Sequence, residues 1–168
     1  GVTIGTEQIN IIVHNTLRVP GHFHATVVSG TAMAFMGATY YLIPLIFQRK
    51  VGFWRAAKIQ PYLFAGGMLI FTLSMTFAGT FGVPRRHWDI TFSQAPFAVQ
   101  FNPIVDVVLA VVALGGLLAA TGAFLFVAVL LYLRVVETAG PGRHRLLAAS
   151  VVTFGLALTA KSIVMTFP

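Results

Sequence analysis

Four stretches of the chain are almost continuously apolar: residues 19–47, 62–81, 104–133 and 146–167. Each is close to or longer than the roughly 20 residues a helix needs to cross about 30 Å of hydrocarbon. None alternates with the period of two that a membrane β-barrel strand shows. Backbone polar groups cannot stay unpaired in lipid, so the pattern predicts four membrane helices and an all-α membrane protein. The connections between the runs are short, no internal repeat is visible, and residues 1–168 read as a single transmembrane segment.

Composition agrees. Of the 168 residues 57% are hydrophobic and 9% charged, and mean hydropathy is +0.86. A soluble domain carries about 25% charged residues, and a disordered chain needs few apolar residues and much charge; both classes are excluded. With no cysteine there is no disulfide framework, thiolate zinc site or iron–sulfur cluster. The net charge of +7 would suggest nucleic acid in a soluble protein. Here the basic residues collect at the ends of the apolar runs, where they meet lipid headgroups and set orientation, so no nucleic-acid partner is expected. Arg49, Lys50, Arg55 and Lys58 follow the first run, and Arg134, Arg143 and Arg145 follow the third. The positive-inside rule therefore places residues 48–61 and 134–145 in the cytoplasm. The loop after the second run, with Arg85, Arg86, His87 and Asp89, lies outside. Its two arginines breach the rule, which implies a structural or ligand partner. The chain opens on Gly1 without methionine or signal peptide, so a processed chain or the tail of something larger is expected.

Three of the five histidines, His14, His22 and His24, fall in the stretch VHNTLRVPGHFHATVVSG, residues 13–30. At about 100° per residue, His22 and His24 point about 200° apart. They cannot share one metal, as histidines at i and i+4 can. They can each serve a separate haem on opposite faces of one helix, or pack as hydrogen-bonded residues against two different neighbours. GVPRRHWD, residues 82–89, supplies Arg85 and Arg86 on the same outer side. Guanidinium forks suit carboxylates such as haem propionates, and they suit lipid phosphates as well. Elsewhere, Asn102 before Pro103 reads as a helix start. Asp106 reads as a first-turn carboxylate favoured by the helix dipole or a group on a proton path. Gly115, Ala119 and Ala123 read as a stripe for close helix packing.

HNTLRVPGHFHATV followed one span later by GVPRR resembles subunit I of the haem–copper oxygen reductases, and the Pro-Gly before H-F-H resembles the B family of cytochrome c oxidases. The resemblance covers nearly the whole chain and implies a C-terminal part of that subunit's larger helix bundle. At matching positions it implies that His22 is the proximal ligand of the high-spin haem and His24 one axial ligand of the low-spin haem. Arg85 and Arg86 match the propionate partners, and His14 a histidine near the propionates. It implies haems of types b and a, and a copper whose ligands lie outside this chain. It also implies partners: the remainder of subunit I, a copper-bearing subunit II, cytochrome c or a similar electron donor, and membrane lipid. Asn15 stands where the mitochondrial-type version has a metal-binding aspartate, so no magnesium site is expected. Asn10 stands where some B-family members have an acid, with Glu7 as the nearest substitute.

The expected function is that of a proton-pumping terminal oxidase in a bacterial or archaeal cytoplasmic membrane. Electrons would pass from a low-spin haem to a haem–copper centre that reduces oxygen to water. Two rivals stand beside it. One is a nitric oxide reductase of the same superfamily, against which Pro-Gly and Pro-Arg-Arg speak. The other is a cofactor-free anchor or transporter segment.

Overall fold

The computed structural model describes residues 1–48, 51, 54–87 and 89–135. The predicted fourth span at 146–167, the 136–145 connection, Arg49, Lys50 and Trp88 lie outside the described residues. Helices α1 (Val2–Gly5) and α2 (Glu7–Val13) precede α3 (Arg18–Phe23), a π-helical segment (His24–Thr31), α4 (Ala32–Phe47), α5 (Trp54–Thr80) and α6 (Ile104–Val135). The elements α3, π segment and α4 run on as one rod, Arg18–Phe47. With Trp54–Thr80 and Ile104–Leu131 it makes three helices, among the described residues, long and apolar enough to cross a membrane. The all-α membrane architecture is thus the one the hydropathy pattern predicts.

Two features differ from that pattern. Helix α5 starts at Trp54, two turns before the expected residue 62, so Arg55 and Lys58 are helical rather than in a loop. The Lys58 ammonium lies 5.0 Å from the Trp54 ring centre, a contact one helical turn brings within reach. Pro61 then sits inside the helix. The second difference is the π-helical winding of His24–Thr31, which hydropathy does not register. At α6 the expected start holds: Asn102 Oδ1 accepts the Ile104 backbone N–H at 3.0 Å, and Asp106 occupies the first turn.

Helices α5 and α6 form the main pair, and α3 packs on the C-terminal end of α5. The small-residue stripe does what its spacing predicts. A Cβ at Gly67 would land on the backbone of Ala119, and one at Gly115 would lie 2.6 Å from the Phe71 nitrogen. The two backbones touch, which in lipid substitutes van der Waals contact for the missing hydrophobic drive. Phe64, Met68 and Ala119 form a buried cluster, with Val28, Met33 and Met36 of the first rod packed on it. Near it Gln60 is fully buried and joins all three helices. Its Nε2 donates to the Gly122 carbonyl at 3.1 Å, and its Oε1 accepts the Tyr40 hydroxyl at 3.2 Å. A second cluster, Ala78, Val83 and Val105 with Leu17 and Ile90, closes the end where α5 stops and α6 begins.

Candidate functional site

After α5 the chain turns at Gly82, whose φ of +81° only glycine adopts freely. It then runs back along the residues before α3. Thr16 and Pro84 form an antiparallel bridge. Leu17 N donates to the Val83 carbonyl at 2.9 Å, and Arg85 N to the Asn15 carbonyl at 2.8 Å. Arg85 Nη2 also donates to Asn15 Oδ1 at 2.8 Å. This clamp ties the two motif-bearing stretches, about seventy residues apart in the chain (|i−j| = 70), to one end of the bundle.

The clamp frames a cavity of about 580 Å³ lined by His14, Asn15, Pro84, Arg85, Arg86 and His87, among others. Three of its lining residues, Asn15, Arg86 and Phe92, hold left-handed backbone at φ 62°, 67° and 53°. For Arg86 and Phe92 that conformation costs roughly 1–2 kcal/mol, a strain that the surrounding structure must impose. Arg85 is held by a neutral amide, so that contact leaves its charge uncompensated. The basin is cationic and fits an anion. His14, Arg85 and Arg86 are therefore brought together. His22 and His24 are not among the lining residues: they lie along the helix that starts beside the clamp, about 6 and 9 Å from Arg18 at 1.5 Å per residue.

Gly21 explains the Pro-Gly before H-F-H in local terms. A Cβ there would sit 2.9 Å from Thr76 Oγ1 and 3.1 Å from its backbone nitrogen, so glycine lets α3 lie directly on α5. The two histidines then meet different neighbours. His24 packs edge-on against Phe71 of α5 with ring centres 5.3 Å apart. The His22 Nε2 edge faces the amino-terminal helix, 3.1 Å from where a Cβ on Gly1 would lie. His24 Nδ1 lies 2.7 Å from the Pro20 carbonyl. A carbonyl only accepts, so Nδ1 is the donor, and in the neutral ring Nε2 is then the nitrogen with the free lone pair. An imidazole held in this way is oriented for a metal on its other nitrogen. Among the described residues no three His, Asp or Glu side chains come together as a metal cluster.

The loop between α5 and α6 is fastened by Asp89. Its carboxylate accepts from the backbone N–H and hydroxyl of Thr91 (3.0 and 2.6 Å) and of Ser93 (2.9 and 2.6 Å). These bonds hold its pKa well below the ordinary carboxylate range, at about 2.

Residues 1–118 match the sequence profile of cytochrome C and Quinol oxidase polypeptide I. The chain belongs to this family. Cytochrome c oxidase subunit 1 of Thermus thermophilus is 30% identical over 117 residues, 66% of this chain and 21% of that protein. Cytochrome c oxidase polypeptide 1 of Halobacterium salinarum is 32% identical over 94 residues, 52% of this chain and 14% of its own length. A yeast relative, cytochrome c oxidase subunit 1 of Debaryomyces hansenii, is 34% identical over 86 residues, 51% of this chain and 16% of its own. The chain thus spans about a fifth or less of these oxidase subunits.

Some site residues escape sequence reasoning. Asn15 reads only as the absence of an acid, yet it holds Arg85 through side chain and backbone. His87 reads as a loop histidine, yet it lines the basin. Asn10, the other missing acid, donates through Nδ2 to the Ile4 carbonyl at 2.9 Å and ties α1 to α2. Asn15 carried one readable signal, since asparagine is among the few residues that tolerate left-handed backbone.

Proposed function

We propose that this chain is the C-terminal, haem-holding part of the catalytic subunit of a B-family, proton-pumping terminal oxidase. It works with the remainder of subunit I, a copper-bearing subunit II and a cytochrome c-like donor in a bacterial or archaeal cytoplasmic membrane. The observation that carries the reading is the Nδ1 bond of His24 to the Pro20 carbonyl, which leaves Nε2 free to ligate. Haem and copper, when bound, supply one-electron transfer and the reduction of oxygen to water.

The residues of this chain hold and tune. His24 offers one axial nitrogen to a low-spin haem, and His22, on another face of the same helix, the proximal nitrogen to a high-spin haem. Arg85 and Arg86 offer guanidinium forks to propionate carboxylates at the outer end, with His14 beside them. The clamp at Asn15, Thr16 and Pro84 fixes the distance between cations and ligands. The second low-spin ligand and the copper ligands come from the rest of the subunit. The basic ends of the spans orient residues 48–61 and 134–145 to the cytoplasm.

The test is to purify the complex that contains this chain and measure its metals and reduced-minus-oxidised spectrum. Low-spin and high-spin haem bands together with copper are expected. Non-haem iron in place of copper would make it a nitric oxide reductase, and a preparation without haem bands would leave only an anchor.

A further inference from the structure

Resting on the reading of His24 as a haem ligand, we infer that Ser29 is a positioning residue that sets the orientation of His24 by holding the π-helical winding below it. Ser29 Oγ donates to the His24 carbonyl at 2.9 Å across five residues. In an α-helix a serine or threonine hydroxyl reaches the carbonyl three or four residues back. Thr26, at the start of the π-helical segment, still reaches back this way into α3, bonding the His22 and Phe23 carbonyls at 3.1 and 3.3 Å. Five residues at 100° carry a side chain about 140° past the starting point, out of reach of that carbonyl. The Ser29 bond therefore forms only because His24–Thr31 winds as a π-helix, and it holds that winding in place.

The consequence is rotational. A π-helical stretch carries extra residue per turn relative to the α-helix on either side. One residue is worth about 100° of rotation. The outer end of the rod cannot turn freely, because Leu17 is bonded to Val83 and Gly21 lies on Thr76. The inner end is held by Tyr40 and Met36 against Gln60. Relaxation of the π segment to α-helix must therefore be taken up between these anchors. His24, the first residue of the segment, is where it begins. The Ser29 hydroxyl fixes the plane of the imidazole, while the Pro20 carbonyl fixes its tautomer.

The test uses the assembled oxidase complex and the electron paramagnetic resonance of its oxidised low-spin haem, which reports the plane of the axial imidazole. Ser29→Ala is expected to displace the low-spin g-maximum while low-spin haem content stays at the wild-type level. Ser29→Thr is expected to restore the wild-type signal. Thr26→Ala, which removes an ordinary four-residue bond, is expected to leave it in place. A wild-type signal in Ser29→Ala would overturn the inference, and so would an equal displacement in Thr26→Ala. If the alanine variant does not assemble, Ser29→Cys decides in the same way: its weaker donor should displace the signal, and an unchanged signal refutes the role. His24→Leu separates the two layers. Low-spin haem retained in that variant removes the ligand reading itself. Low-spin haem lost there, with Ser29→Ala unchanged, removes only the positioning role.

Discussion

At the scale of single residues the basin lined by His14, Arg85 and Arg86 is the informative place, because charge and backbone strain meet there. Arg85 donates to a neutral asparagine rather than to an acid, so its charge is available to an anion. A charge-assisted hydrogen bond contributes about 1.5–3 kcal/mol, and about 1.4 kcal/mol corresponds to about 60 mV for a one-electron couple. Loss of a cation favours the oxidised haem. Arg85→Leu should therefore lower a haem midpoint potential, and solvent screening of an open basin keeps the change to tens of millivolts. Redox titration of the complex checks it; an unchanged potential would assign the arginine to lipid phosphate. Asp89 gives a pH prediction. Its pKa is lowered to about 2, so its hold on the loop is complete above the ordinary carboxyl value of about 4. The hold is lost as pH falls through about 2. Amide exchange at Thr91 and Ser93, corrected for intrinsic rates, should show constant protection from neutrality to about pH 4 and loss below it. Asp89→Asn should show the loss at every pH.

At the scale of helices, the α5–α6 contact and the Gln60 node define the packing. A Cβ at Gly67 falls on the Ala119 backbone, whereas one at Gly66 meets nothing within 4 Å in this chain. Gly67→Ala should force the helices apart and cost about 1–3 kcal/mol, while Gly66→Ala should cost far less. Thermal unfolding of the chain in detergent compares the two. The Gln60 amide should couple to the Tyr40 hydroxyl by about 0.6–1.7 kcal/mol, the range for hydrogen bonds between membrane helices, in a double-mutant cycle of Gln60→Leu and Tyr40→Phe. Three of the four expected spans, those among the described residues, were legible in the sequence because burial in lipid needs only length and apolarity. The Asn102 start and the Gly115–Ala119 stripe were legible because each rests on local chemistry. The early start of α5 was hidden, because Arg55 and Lys58 read as loop charges until the Trp54 contact is seen. The π segment was hidden as well, because its apolar residues look the same wound either way; the backbone winding and the Ser29 bond disclose it.

For the whole molecule, the exposed apolar faces are part of the account. Phe35, Leu117 and Tyr62 stand on the spans with 69%, 68% and 81% of their surface open, and a surface of that kind marks contact with lipid or with further helices. The matched part of the chain corresponds to about a fifth of the Thermus subunit. The clamp of residues 15–17 on residues 83–85 makes one end of this piece a unit that joins cationic basin and histidine-bearing helix. What the sequence could not show was that joining, which depends on left-handed backbone at Asn15, Gly82 and Arg86 and on the Thr16–Pro84 bridge between distant stretches. The claim at the centre is that His22 and His24 serve different irons. The most direct measurement is the optical spectrum of the complex carrying His24→Leu or His22→Leu. His24→Leu should lose the sharp reduced low-spin bands. His22→Leu should lose or alter carbon monoxide binding while keeping those bands, and activity should vanish in both. Two identical spectra with both haems present would contradict it and return the histidines to a packing role.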